Sequence, residues 1–227
     1  ALAPIAEVRQ EEVATALLMT LLMFLVLAAY YMLKTAREVF ILTEGGAEVK
    51  SYSSAGQALL LLAIVPAYSA FASRVNRGRL VTLVTLFFAS NLVLFVLATE
   101  AGLHVGIVYF LWIGIFNVMV IAQFWAFAND IYTPEKGKRI FPLIGVGSSL
   151  GAWLGSLRAS NLITSSGPTR LLIGGGAVLV VCALIAKAID RRAVRSAAKA
   201  HAAAAEQPLG KEGAFSMILA DRYLLLI

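Results

Sequence analysis

The sequence predicts an all-α membrane protein, and three observations lead to that fold class. Hydrophobic residues make up 60% of the 227 residues and charged residues only 14%, whereas soluble domains usually contain about 45–50% and about 25%. Six apolar runs reach the length of about 20 residues that a helix needs to cross a bilayer. Their apolar residues are continuous rather than alternating, which favours helices over the strands of a membrane barrel.

The six apolar runs are residues 13–42, 54–73, 80–98, 103–131, 140–163 and 170–189. Short segments such as "TEGGAEVKSYS" and "ITSSGPTR" separate neighbouring runs, and their Gly, Ser and Pro residues predict turns. The first and fourth runs are longer than a bilayer requires, so we expect those helices to tilt or protrude. The sequence therefore predicts a six-helix transmembrane bundle over residues 13–189.

Polar segments flank this bundle. Residues 1–12 are predicted to form a cytoplasmic N-terminal segment, and the charged, alanine-rich residues 190–215 a cytoplasmic connector. Residues 216–227 begin a new apolar run, which we interpret as the start of a seventh helix. A second half of the protein is then expected beyond the sequence.

The distribution of Lys and Arg predicts the orientation of the bundle. Most of the 19 basic residues lie on one side, whereas only Lys50 and Arg170 lie in the loops of the other side. Cytoplasmic loops carry the excess of Lys and Arg in membrane proteins. Both ends of the six-helix unit are therefore predicted to be cytoplasmic, and the net charge of +6 is a topology signal rather than evidence for nucleic-acid binding.

Several chemical classes find no support in the sequence. Cys182 is the single cysteine, so an internal disulfide is excluded, and His104 and His201 are far apart with no acidic or cysteine cluster beside them. We therefore expect no metal and no cofactor. We also expect no enzyme activity, since no nucleophile–base pair or soluble phosphate-binding loop is recognisable.

The stretch "YYMLKTAREVF" places three charges behind a long apolar run. Lys34, Arg37 and Glu38 follow the spacing i, i+3, i+4 and share one helix face. Such charges cost roughly 2.5–3.5 kcal/mol each inside hydrocarbon. Either the helix ends near Leu33 and the charges lie among lipid headgroups, or they line a wet cavity that holds an anion.

The segment "FPLIGVGSSLGAWLGS" carries Gly147, Gly151 and Gly155 at every fourth position. A dinucleotide-binding loop would need a preceding strand and a βαβ unit, whereas a stripe of small residues permits close packing of membrane helices. We interpret the stripe as a packing face. Arg158 lies about 20° from Gly151 around the helix, so it either faces a cavity or extends to the outer membrane surface.

Two segments are candidates for gating on the cytoplasmic side. The loop "ASRVNRGRL" contains Arg74, Arg77 and Arg79 and resembles the two–three loop of the major facilitator superfamily, with Ser73 where that motif has an acidic residue. Ordinary positive-inside charge is the alternative. Asp130 either pairs with this loop or simply precedes a surface connector capped by Thr133.

Three segments together resemble the nucleotide (ATP/ADP) translocase family. They are "AYYMLKTAREVFIL", similar to the first helix of that family, "FWAFANDIYTPEKGKRIFPLIGVGSSLGAWLG", similar to its helix four to five junction, and "DRYLLLI", similar to the start of its seventh helix. The resemblance implies a twelve-helix, major-facilitator-like fold, of which this chain is the six-helix N-terminal half. It also implies nucleotide transport by alternating access.

The resemblance assigns roles to individual residues. Lys34 falls on the lysine that helps bind substrate phosphates, and Arg37 and Glu38 fall on the arginine and acidic positions that follow. Two departures from the family pattern limit how far the family's substrate can be assigned to this chain. Thr35 stands where the family has proline, and no glutamate occurs around "LWIGIFN", where exchangers carry one within helix four.

We therefore expect a secondary transporter of an organic anion in the bacterial inner membrane, exchanging nucleotides such as ATP and ADP or another phosphorylated metabolite. The expected partners are the lipid bilayer and the second six-helix half. A membrane sensor or scaffold with a transporter fold is the alternative. Proton-coupled drug export is a third possibility, although Glu38 is its only carboxylate candidate within the spans.

Overall fold

A computed structural model describes residues 10–72, 75 and 77–206. These residues form helices and no strand, which confirms the predicted all-α class. The helices are α1 (Gln10–Ala72), α2 (Arg77–Glu100), α3 (Gly106–Ile131), α4 (Pro134–Ser166) and α5 (Pro168–Glu206). All five are long and apolar enough to cross a membrane, so the chain is a multi-pass membrane protein.

Helix α1 changes direction at Gly46, where φ is 70° and ψ is −170°. Glycine adopts this backbone conformation without the steric cost of a side chain. The first arm of α1 comprises residues 10–45 and the second arm residues 47–72. Lys50 Nζ lies 2.6 Å from Glu38 Oε2, although the two residues would be about 18 Å apart along a straight helix. The two arms therefore fold back on each other as a hairpin.

The predicted apolar runs lie on the two arms of α1 and on helices α2 to α5. The fourth run begins too early, since Leu103 to Val105 precede α3 instead of forming its first turn. Gly102, with φ of 76°, lies in the turn before them. The predicted seventh helix and the end of the predicted connector, beyond Glu206, lie outside the described residues.

The chain divides into two compact units, Ala1–Asp190 and Arg191–Ile227. In the first unit, the first arm of α1 is the central element. Tyr109 of α3 donates a hydrogen bond of 3.2 Å to the carbonyl oxygen of Leu33 on this arm. The surface of the unit instead exposes large apolar side chains, including Leu62 and Trp153, as expected where the solvent is lipid.

The glycine stripe of α4 faces the first arm of α1. Gly147, Gly151 and Gly155 are all buried, and a Cβ atom at any of them would overlap the backbone of that arm. A Cβ at Gly155 would come within 2.5 Å of the carbonyl oxygen of Ala28, and one at Gly151 would collide with that of Phe24. Because backbone cannot rotate out of the way, the close approach of the two helices requires the glycines.

We predict that Gly151→Ala lowers the thermal unfolding midpoint of the protein in detergent, because the added methyl group must push α4 away from α1. Overpacking of this kind costs about 1–3 kcal/mol. Gly145→Ala is the matched control on the same helix, since a Cβ there meets no atom within 4 Å. Equal effects of the two substitutions on the midpoint would contradict this account of the interface.

Candidate functional site

Arg37 and Glu38 of the first arm form an ion-paired group with Lys50 of the second arm. Arg37 donates to Glu38 Oε1 from Nη2 at 2.5 Å and from Nε at 3.2 Å. Lys50, on the second arm, donates to the other carboxylate oxygen of Glu38 at 2.6 Å. The side chain of Arg37 is only 14% exposed, so other atoms of the protein cover most of it.

The aromatic side chains beside this group contact its cations. The guanidinium carbon of Arg37 lies 4.5 Å from the centre of the Phe110 ring of α3, and Phe110 is almost fully buried. The Lys34 ammonium lies 5.3 Å from the centre of the Tyr31 ring. Cation–π contacts of this type help to hold a cation that has left water.

Lys34 differs from the other two cations because no described acidic residue forms an ion pair with it. Among the described residues, Arg37 and Lys50 pair with Glu38, whereas no ion pair involves Lys34. Arg37 and Lys50 therefore share one carboxylate, and Lys34 lies one helical turn from Arg37 on the same face. The group carries surplus positive charge, and Lys34 is the cation whose donors are uncommitted. Chemically, this arrangement suits the binding of an anion.

The sequence analysis predicts Lys50 in an outer loop and does not include it among the binding residues, whereas the structure pairs it with Glu38. No local signal identifies it, because its proximity to Glu38 depends on the reversal of α1 at Gly46. The glycine pair Gly45–Gly46 in "TEGGAEVK" is the only sequence feature that marks the reversal.

Arg158 is the remaining predicted binding residue. Among the contacts of the described residues, none joins it to the ion-paired group. Its side chain is exposed on α4, immediately before the buried Ala159. No ion pair of the described residues joins it to Lys34, Arg37 or Glu38. Its role in binding stays a prediction.

The predicted gating residues are only partly described. Arg74 lies outside the described residues, and Arg77 is the first residue of helix α2. Arg79 and Asp130 are both exposed, near the start of α2 and the end of α3. The gating role of all four stays a prediction.

An acidic residue from α5 reaches the start of α2. The Asp190 carboxylate lies so close to Gly78 that a Cβ there would overlap it. The loop itself has Ser73 where the major facilitator motif has an acidic residue, and no sequence pattern links Asp190 to it. A carboxylate is thus present beside the two–three loop, supplied by another helix.

The predicted cytoplasmic end holds a second ion-paired group. Glu12, near the start of α1, lies 3.3 Å from Lys136 Nζ and 3.5 Å from Arg139 Nη2, both on α4. The hydroxyl group of Tyr132 is buried close by. Burial, and to a lesser extent the charge of Glu12, raises the pKa of Tyr132 well above its usual value. These ion pairs hold the start of α1 beside the start of α4.

Glu44 links the first arm of α1 to the start of α3 at the opposite end. Its carboxylate accepts hydrogen bonds from the backbone N–H of Val105 at 3.2 Å and of Gly106 at 2.6 Å. The first N–H groups of a helix have no partner within the helix, and a negative charge is favoured there. Gly106 permits this approach, since a Cβ there would come within 2.9 Å of the carbonyl oxygen of Phe40.

Comparison with known proteins gives one family match and one curated relative. The sequence model of the TLC ATP/ADP transporter family matches residues 2–100, which confirms the resemblance to nucleotide translocases over that part of the chain. The chain is also similar to ADP,ATP carrier protein 4 of Rickettsia conorii, with 25% identity across 68% of this chain. It spans 36% of the length of that relative. No solved structure matches the chain.

We predict that Glu44→Ala destabilises the protein by about 1–2 kcal/mol, because two backbone donors at the start of α3 lose their charged acceptor. The unfolding midpoint in detergent measures the effect. Glu48→Ala is the control, since Glu48 is an exposed carboxylate one turn away on the second arm. An unchanged midpoint in Glu44→Ala would show that the cap contributes nothing to stability.

Proposed function

We propose that this chain forms the N-terminal six-helix half of a secondary transporter that exchanges nucleotides, or other phosphorylated metabolites, by alternating access. One observation carries the proposal. Lys34 has no acidic partner among the described residues, and it lies one helical turn from Arg37, which shares a single carboxylate with Lys50. The similarity to ATP/ADP transporters supports the same substrate class.

The position of these charges favours a binding role over a structural one. Ionisable residues within membrane spans are costly, and they usually face a cavity and serve a substrate or ion pathway. A stable bundle needs no positive surplus at this place, whereas a bound phosphate group would neutralise it. Charge-assisted hydrogen bonds from Lys and Arg to phosphate oxygens supply both affinity and orientation.

In this mechanism each residue of the group has a separate task. Lys34 and Arg37 engage the anionic group of the substrate, and Glu38 orients them. Arg158 contributes from α4 in the conformation that binds substrate. Arg74, Arg77, Arg79 and Asp130 act at the cytoplasmic end, where they open and close access to the site.

The second half of the transporter completes the site. The chain spans about a third of the curated relative it matches, and transporters of this type bind substrate at the interface of two repeats. We place the protein in the bacterial inner membrane with its N-terminus in the cytoplasm, on the basis of its Lys and Arg distribution.

We predict that proteoliposomes containing the full-length protein and loaded with ADP take up labelled ATP in a saturable manner. Lys34→Ala is expected to reduce the initial rate at least about 10-fold, because a charge-assisted hydrogen bond contributes about 1.5–3 kcal/mol. Lys187→Ala is the control, since this lysine is exposed on α5. Absence of ATP uptake by the wild-type protein would overturn nucleotide exchange.

A further inference from the structure

Glu38 holds the two cations that flank it with separate oxygen atoms. Its Oε1 accepts from the guanidinium of Arg37, and its Oε2 accepts from the ammonium of Lys50. The two cations come from different arms of α1, so the carboxylate bridges the hairpin. The Glu38 side chain is 30% exposed and that of Lys50 38% exposed, so both are accessible from outside the packed core.

A bound phosphate group would use the same donors as this carboxylate. Both ligands present oxygens to a guanidinium fork and to an ammonium group. The donors cannot serve both fully, so an incoming anion competes with Glu38 for Arg37 and Lys50. The uncommitted ammonium of Lys34 lies one helical turn from Arg37 and gives the incoming anion a contact that does not require displacement of Glu38.

We propose that the Glu38 carboxylate occupies the anion site in the absence of substrate. Lys50 is then a further substrate-binding residue, whose ammonium group becomes available when the substrate displaces Glu38. This inference rests on the proposed function, since it concerns the same cationic group. It also defines the ligand class. Displacement leaves Glu38 without its partners, so the entering group must carry at least two negative charges spread over several oxygens, as a diphosphate does.

The exchange of Glu38 for substrate changes the connection between the arms of α1. Glu38 belongs to the first arm, so its carboxylate is a covalently attached link to Lys50 of the second arm. A substrate is attached to neither arm. Substrate binding therefore replaces a permanent link across the hairpin by one that ends when the substrate leaves. This couples occupancy of the site to the packing of the two arms.

A purely structural role for Glu38 gives a different result on mutation. If its ion pairs only hold the hairpin together, then removing either Glu38 or Lys50 weakens anion binding. If Glu38 is a competitor, then removing it strengthens binding while removing Lys50 weakens it. Weaker anion binding after removal of Glu38 thus excludes the competitor role.

The test is calorimetric titration of the full-length protein in detergent with inorganic diphosphate, at constant ionic strength because exposed charges are screened by salt. Glu38→Gln is expected to bind about 10-fold more tightly, because its cations are free in a larger fraction of molecules. Lys50→Gln is expected to bind about 10- to 100-fold more weakly, through loss of one charge-assisted hydrogen bond. Lys187→Gln, which removes the same charge from the surface, should bind like the wild type.

Weaker binding by Glu38→Gln, wild-type affinity in Lys50→Gln, or no diphosphate binding by any variant would overturn the inference. If Glu38→Gln does not fold, the double variant Glu38→Gln/Lys50→Gln removes one charge of each sign and is compared with Lys50→Gln alone. It should bind diphosphate more tightly than Lys50→Gln, and equal or weaker binding overturns the inference.

Failure of this inference and failure of the proposed function have different signatures. Nucleotide exchange that occurs without the expected effects at Glu38 and Lys50 overturns the inference alone. The expected pattern with diphosphate, together with absence of ATP uptake in proteoliposomes, overturns nucleotide exchange while the anion site stands.

Discussion

The reversal of α1 at Gly46 is the constraint on which the rest of the structure depends. A continuous helix from Gln10 to Ala72 would run far beyond a bilayer, since 20 residues already span about 30 Å. The left-handed backbone of Gly46 turns it into two arms. The first arm then runs antiparallel to α3 and the second parallel to it, so that Gly106 lies beside Phe40 and Gly114 beside Gln57. Of the two partners of Glu38, Arg37 is its neighbour on the first arm, whereas Lys50 reaches it only through this geometry.

Electrostatics explains why the charged group is tolerated in an apolar bundle. Moving a charge out of water costs free energy, and nearby opposite charges and aromatic faces offset that cost. Arg37 lies between the Glu38 carboxylate and the Phe110 ring. Lys34 lacks an acidic partner among the described residues, which leaves a local imbalance. A stable but unbalanced group is the electrostatic condition that an anion-binding site requires.

Much of the fold follows from the sequence because the signals are local. Continuous apolar runs locate the helices, and the four-residue glycine spacing identifies the face of α4 that contacts α1. The i, i+3, i+4 spacing of Lys34, Arg37 and Glu38 also places them on one face. The departure at Thr35 has a local consequence as well. Its hydroxyl donates to the carbonyl oxygen of Tyr31 at 3.0 Å, and Tyr31 is the residue whose carbonyl a proline at position 35 would leave without its helical partner.

The parts that sequence reasoning missed depend on contacts between distant segments. "TEGGAEVKSYS" was interpreted as a loop, yet it is helical on both sides of Gly46. Consequently the sequence does not identify Lys50 as the partner of Glu38. Nor does it identify Glu44 as the partner of the start of α3. Asp190 was missed for the same reason, because its contact with Gly78 joins residues far apart in the chain. Such contacts are set by how helices pack, and a single sequence carries no periodic signal for them.

A cross-linking measurement tests the central claim, the hairpin that brings Lys50 to Glu38, most directly. Cysteines at positions 38 and 50 are joined in membranes with a short bis-methanethiosulfonate linker, since side chains as long as Glu and Lys can meet across a Cα separation that a direct disulfide cannot bridge. The chain is then cut between them at Glu44 or Glu48 with a glutamate-specific protease. The hairpin predicts that the two fragments stay joined until reductant is added. The pair 38 and 64, about 21 Å further along the second arm, should stay unlinked. Fragments that separate without reductant for the 38–50 pair would contradict the hairpin and the site built on it.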